Sequence, residues 1–230
     1  MQSISLLNLL YMLPPLILVA FYYYIWVGKK TEIALATLRM SIQLIVIGYV
    51  LTSLFNTNAL WLLALLVVVM VTTASLIARR NIRNKDIQTY FVILGAIALG
   101  GTFNLALVLW GVLDLENPLA PRFVIPLAGM IYANAMNAIS LCAERYEKER
   151  ENHDSEKARA IAFKASMIPQ INSFLAVGFV SLPGMMTGQI LSGVDPLIAV
   201  RYQIVVMAMI LSSGAMSNIL YLMYVTRKER

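Results

Sequence analysis

The chain holds one cysteine, Cys142, and one histidine, His153, in 230 residues. The lone cysteine excludes any intrachain disulfide, and the two together exclude the His/Cys clusters that hold zinc and other imidazole- or thiolate-bound metals. Charge is scarce as well. Only 13% of residues are Asp, Glu, Lys or Arg against 60% hydrophobic, and the mean hydropathy is +0.74. That balance lies outside the soluble globular class and marks an integral membrane protein. No Gly-x-x-x-x-Gly-Lys-[Ser/Thr] occurs, so the chain does not hydrolyse a nucleotide by a P-loop. No carboxylate lies deep in an apolar run, which argues against a proton relay of buried Asp or Glu. Nor does any cluster of nucleophile, base and oxyanion donors suggest a membrane enzyme. The first apolar run lacks a basic flank and continues through Trp26, too long for the core of a cleavable signal.

What is present is apolar length. A membrane span needs about 20 apolar residues, and stretches meeting or approaching this run from Leu6 to Val27, Ile33 to Phe55, Ala59 to Ala78, Tyr90 to Leu113, Phe123 to Cys142, Ile171 to Leu191 and Val200 to Val225. The expected fold is therefore all-α, a polytopic membrane bundle of about seven transmembrane helices forming a single domain over residues 1–230. Pro14 and Pro15 should kink the first span, and Phe21-Tyr-Tyr-Tyr-Ile-Trp26 reads as an aromatic belt at an interface.

The formal charge of +6 sits in clumps between these runs, so topology explains it better than nucleic-acid binding. Lys29 and Lys30 occupy one connection. Arg79, Arg80, Arg83 and Lys85 occupy the next but one, then the basic residues between Arg145 and Lys164, then Arg227, Lys228 and Arg230. The alternate connections carry Asn56-Thr-Asn58, Asp114 with Glu116 and Arg122, and Asp195 with Arg201. The positive-inside rule then puts the N-terminus outside and the C-terminus in the cytoplasm of a multi-pass plasma (inner) membrane protein. No low-complexity segment or clear internal repeat is visible, so two inverted halves are not evident.

Polar residues inside apolar runs need a reason. Arg39 and Gln43 share a face of the second span, where the arginine either snorkels to the surface or meets a solute. In the fifth span Gly129, Ala133 and Asn137 form one stripe, with Met130 and Asn134 on the adjoining one. Such residues serve helix packing or line a path for a solute. The sixth span carries Ser181-Leu-Pro-Gly-Met-Met-Thr-Gly188, a helix breaker with two glycines, tolerated at membrane depth only where protein or a water-filled cavity satisfies the freed backbone. Pro183, Gly184 and Gly188 thus read as a packing kink or a gate, with Met185, Met186, Thr187 and Gln189 beside it. The methionines are numerous enough for a thioether path, although methionine is also a common gap-filler.

Before that span, Glu144-Arg-Tyr-Glu-Lys-Glu-Arg-Glu151 mixes both charge signs at helical spacing, with Glu144 to Lys148 and Arg145 to Glu149 as i,i+4 pairs. From Glu156 the charges thin. Ala158, Ile161, Ala162, Ala165 and Ile168 then share one face of an amphipathic helix that Pro169 ends or kinks. The segment 143–169 is either a helix lying on the lipid surface or a docking surface for a soluble partner.

The pieces Arg39-Met-Ser-Ile-Gln-Leu-Ile-Val-Ile-Gly-Tyr-Val-Leu51, Val124-Ile-Pro-Leu-Ala-Gly-Met-Ile131 with Asn134-Ala-Met136, Val180-Ser-Leu-Pro-Gly-Met-Met-Thr-Gly188, and Gly193-Val-Asp-Pro196 with Tyr202-Gln203 resemble the FetB-like permease family. That family comprises iron-export ABC transporters and the plant ALS-type half-transporters. The resemblance implies a permease subunit that binds no cofactor itself, pairs with an ABC-type ATP-binding subunit carrying the ATP, and assembles as two permeases with two ATPases in the lipid. It implies coupling to the ATPase around Glu156, Arg159, Ile161, Ala162, Lys164 and Ala165. Its substrate class is iron or a related metal species. Without an intramembrane carboxylate, histidine or cysteine pair, a metal would rely on Asn134, Asn137, Thr187, Gln189, methionine sulfur and backbone carbonyls, or travel complexed. The competing reading is a non-transporting receptor or sensor whose charged loop binds a soluble effector.

Overall fold

Apolar length becomes helix wherever the backbone can satisfy its own hydrogen bonds, as lipid requires. The computed structural model describes residues 5–57, 59–83 and 85–228, the side chains of residues 6, 53 and 55–57 excepted. Asn58 and Arg230, counted above in a connection and in the basic tail, lie outside the described residues. The chain divides into two units, residues 1–57 and 58–230. Six helical stretches are long and apolar enough to cross a membrane: Leu7–Val27, Glu32–Thr52, Leu60–Arg79, Ile87–Val112, Pro121–Glu149 and Pro196–Lys228.

The first unit contains α1 (Leu6–Leu9), α2 (Leu13–Val27) and α3 (Glu32–Thr57). Between α1 and α2 the chain tightens into a 3-10 turn over Leu10–Met12, directly before Pro14 and Pro15. Prolines have no N–H to offer the carbonyls one turn back, so the irregularity falls where the sequence expects a kink. At the other end Gly28 adopts a left-handed conformation with φ 80° and stops α2. Tyr23 donates its hydroxyl to Glu32 Oε2 at 2.8 Å, and Lys29 Nζ lies 3.3 Å from the same oxygen, which fastens the α2–α3 turn.

The second unit contains α4 (Leu60–Arg79), α5 (Ile87–Ala106, continued by a π-helical turn over Leu107–Val112), α6 (Pro121–Glu149), α7 (Ser155–Ala176), α8 (Gly184–Leu191) and α9 (Pro196–Lys228). α6 packs against α4, α5, α7 and α9, and α9 against α5, α6, α7 and α8. α6 buries Val124, Ile131, Tyr132, Ala135, Ile139 and Cys142 at helical spacing. It also runs on beyond the apolar stretch. The charged segment from Glu144 is the last two turns of α6 rather than a separate loop, and Arg145 pairs with Glu149 at 2.8 Å as the spacing expects.

One expectation is narrowed and another needs correction. Of the two outcomes expected at Pro169, an end or a kink, the first does not occur: α7 continues through it to Ala176. A proline removes one intrahelical bond, and packing of α7 on α6 and α9 outweighs that loss. The stretch Ile171 to Leu191 is accordingly not one continuous helix. It is the end of α7, an irregular segment over residues 177–183, and the short α8. Gly178 takes φ +90° in that segment, a conformation costly for any residue with a Cβ, and Pro183 caps α8.

α5 and α9 approach closely through glycine. A Cβ at Gly100 would stand 2.7 Å from Ser217 Oγ and 3.0 Å from the Ser217 backbone nitrogen, whereas one at Gly95 on the same helix would meet nothing within 4 Å. Gly100→Ala should therefore destabilise the protein by about 1–3 kcal/mol through overpacking against backbone. Gly95→Ala should be neutral or stabilising by up to about 1 kcal/mol through helix propensity. Thermal or denaturant unfolding in detergent micelles checks both, and equal effects at the two sites would contradict the packing described.

Candidate functional site

The polar residues of the second unit converge on the seam between α5, α7 and α9. On α9, Ser213, Gly214, Ser217 and Asn218 are all buried. Their small volume admits two neighbours at short range. From α7, Ser166 accepts a hydrogen bond from Asn218 Nδ2 at 2.9 Å and donates to the Phe163 carbonyl at 2.8 Å. One turn on, the Gln170 amide lies flat against Gly214, where any Cβ would collide with it. From α5, Asn104 donates to the Gly100 carbonyl at 2.8 Å and accepts from the Ser212 hydroxyl. The seam leaves Gln170 Oε1, Ser217 Oγ and Asn218 Oδ1 buried with no partner among the described residues.

Three cavities adjoin this region. One of about 340 Å³ is lined by Asn134, Asn137, Ser166, Gln170 and Ser173 with Phe174 and Met207. A second, about 360 Å³, lies beneath the irregular segment and is apolar except for Gln203. A third, about 370 Å³, is bounded by Arg122, Met185, Gln189 and Tyr202. The expected path residues are therefore distributed. Asn134 and Asn137 share the first cavity, and Asn134 spends its amide N–H on the Met130 carbonyl at 2.8 Å. Pro183 and Met186 face the second, while Met185 and Gln189 face the third. Thr187 caps its own helix by donating to the Pro183 carbonyl at 3.2 Å. Gly184 and Gly188 have open space where a Cβ would stand, so close packing does not explain them. Arg39 and Gln43 lie exposed on α3 of the first unit.

At one end of the second unit a cleft of about 520 Å³ gathers Arg83, Glu147, Arg150, Glu151 and Lys228. Glu147 Oε2 accepts from the Arg83 backbone N–H at 2.8 Å, and the Arg83 guanidinium pairs with Glu151. Lys228 Nζ donates to Gln88 Oε1 at 2.8 Å. Connections two apart in sequence thus share one end, as the charge alternation requires. Of the residues expected to couple to a partner, Glu156 and Lys164 are exposed on α7, and Arg159, Ile161 and Ala165 are half-buried. Ala162 is fully buried in the bundle. Asp154 caps α7 by accepting from the Lys157 N–H at 2.7 Å.

Ser166, Gln170 and Gln203 were not singled out as path residues by sequence. A signal existed: Ser166, Gln170 and Ser173 recur at i, i+4 and i+7 on the face that Pro169 also occupies.

Fold and site define a multi-pass, all-helical membrane protein with neutral polar groups buried among its spans. The chain belongs to the Uncharacterised protein family (UPF0014), whose family model matches residues 5–157 and 149–229. It is 37% identical over 206 residues to the "Probable iron export permease protein FetB" of Escherichia coli, covering 81% of this chain and 77% of that protein. It is 32% identical to the "UPF0014 membrane protein YjkA" of Bacillus subtilis, covering 84% and 82%. It is also 32% identical to the "Protein ALUMINUM SENSITIVE 3" of Arabidopsis thaliana, covering 82% and 73%. No solved structure matches.

The Ser166–Asn218 contact is the clearest polar link between α7 and α9. Interhelical hydrogen bonds in membranes average about 0.6 kcal/mol and reach about 1.7 kcal/mol. A double-mutant cycle of Ser166→Ala and Asn218→Ala, read by unfolding in mixed micelles, should give a coupling in that range. Strict additivity would deny the bond.

Proposed function

We propose that this chain is the membrane-spanning permease subunit of an ABC transporter that exports iron or a related metal species. The observation that carries the reading is the relationship, over most of both chains, to a protein named as an iron export permease. On this reading residues 1–230 act as one permease domain, and ATP is bound and hydrolysed on a separate ABC-type subunit. Two permeases assemble with two ATPases. The end bearing Arg83, Arg150 and Lys228 faces the cytoplasm, where the positive-inside rule puts it, with the N-terminus outside.

The 143–169 region is the contact for the ATPase. Its geometry supports this, since α6 carries its charged final turns beyond the apolar stretch and α7 begins there with a capped first turn. Glu156 and Lys164 are presented outward, and Arg159 borders a groove with Phe163, Leu222 and Met223. Ala162 packs inward, so its role is to seat α7 rather than to touch a partner.

Copurification with a candidate ABC-type ATP-binding subunit should yield a complex whose ATP hydrolysis exceeds that of the ATPase alone. Arg159→Glu with Lys164→Glu should return hydrolysis to the level of the free ATPase while leaving the permease's unfolding temperature unchanged. Cells carrying the pair should lose metal tolerance. Stimulation that survives the charge reversal moves the contact elsewhere. Recovery of a soluble effector instead of an ATPase, with tolerance unaltered, favours a receptor.

A further inference from the structure

α7 and α9 run antiparallel, so the seam can be followed step by step. Ser166 meets Asn218, Gln170 meets Gly214, and Phe174 and Met207 come next, in the wall shared by the 340 Å³ and 360 Å³ cavities. Beyond that wall, Gln203 lies one turn from Met207 on α9. The cavities are thus two hollows of one open groove along the helices, with only an aromatic and a thioether side chain common to both, and Phe174, Asn137 and Ser173 are exposed along it.

The two sides differ in character. The Gln170 side is polar, with Asn134, Asn137 and Ser173. The Gln203 side is apolar apart from the glutamine itself. Gln170 is 9% exposed and Gln203 5%, and the side-chain oxygen of each is buried with no hydrogen-bond partner among the described residues. The contact of Gln170 with Gly214 accounts for its place beside α9 but not for its stranded oxygen, and nothing in the packing accounts for that of Gln203. Two such glutamines flank one apolar wall.

We propose that Phe174 and Met207 form an apolar gate between two chambers of a translocation route along the α7–α9 groove of the second unit, and that the amides of Gln170 and Gln203 hold the cargo on either side of it. The inference rests on the transport reading above. An apolar constriction closes a path by excluding water and opens when its side chains move apart. The irregular segment before Pro183 borders the Gln203 chamber, which gives the wall on that side a backbone without helical rigidity. No ionised side chain lines either chamber among the described residues. The route therefore suits an ion that keeps part of its hydration shell, whose waters exchange hydrogen bonds with amides and hydroxyls. A stripped divalent cation would need anionic ligands.

Cysteine accessibility tests this in the full-length protein with its ATPase, in intact cells and in inverted vesicles. Asn137→Cys and Gln203→Cys report on the two chambers, and the buried native Cys142 gives little background. A charged, membrane-impermeant thiol reagent should label Asn137→Cys from one face and Gln203→Cys from the opposite face. Adding Phe174→Ala, or Met207→Ala should the first fail to fold, should cut that sidedness by at least about tenfold. Labelling of both from the same face, of neither from any face, or sidedness indifferent to both gate substitutions overturns the proposal. Gln203→Leu separates cargo handling from structure: it should keep or raise the unfolding temperature while lowering metal transport by about tenfold. A lower unfolding temperature with normal transport makes Gln203 structural. Absent transport with intact sidedness counts against the transport reading and leaves the gate standing.

Discussion

The constraint on which the second unit depends is that two polar side chains of α7 must be admitted beside α9 in a medium that cannot hydrogen-bond them. Gly214 supplies the space for Gln170, and Asn218 supplies a donor for Ser166. Neither is a large interaction. What they fix is register: shift α7 by one turn along α9 and the glutamine meets Asn218 or Ile210 instead of the glycine, and the serine loses its amide. Because α9 also carries the close approach of Gly100 and the Asn104–Ser212 contact, one helix sets the positions of two neighbours. Hydrophobic attraction between helices is weak in lipid, so such small-residue and polar contacts carry the specificity that a core carries in water.

Much of the fold was legible because the bilayer imposes length. The apolar runs from Leu6, Ile33, Ala59, Tyr90, Phe123 and Val200 each correspond to a helix long enough to cross. The run from Ile171 does not, and the reason is visible in its residues. Hydropathy weighs Phe174 to Leu191 as a span, but Gly178, Pro183 and Gly184 prevent a continuous helix, so apolar character there serves an irregular segment and a half-length helix. Pro169 shows the opposite balance. Local chemistry marks it as a helix end or a kink, while contacts from α6 and α9 hold the helix through it. In one case backbone preference overrode hydropathy, and in the other packing overrode backbone preference.

The candidate site was legible only in part. Asn134 and Asn137 stand out because amides in an apolar run are conspicuous, and they do line a cavity. Gln170 and Gln203 are more deeply buried than either asparagine, but each sits near a charged or polar stretch in sequence, so their depth could not be judged before the helices were placed. The split of Met185 and Met186 between two cavities was beyond sequence for a simpler reason. Consecutive residues on a helix point about 100° apart, and which side faces which neighbour is decided by α9.

The chemistry of the interior bears on the form in which a metal could cross. Among the described residues no three of His, Cys, Asp and Glu come together as a metal site. The cavity beside Gln189 carries Arg122, which repels a bare cation. A route of amides, hydroxyls and thioethers binds any one cargo weakly, because neutral dipoles recover only part of an ion's hydration energy. Weak binding suits passage, since a site that replaced the whole hydration shell of a divalent ion would retain it. Selectivity in such a route would come from the size of the hydrated species that fits between α7 and α9. The helix register fixed by Gly214 would then act as the ruler for what passes as well as the anchor of the fold.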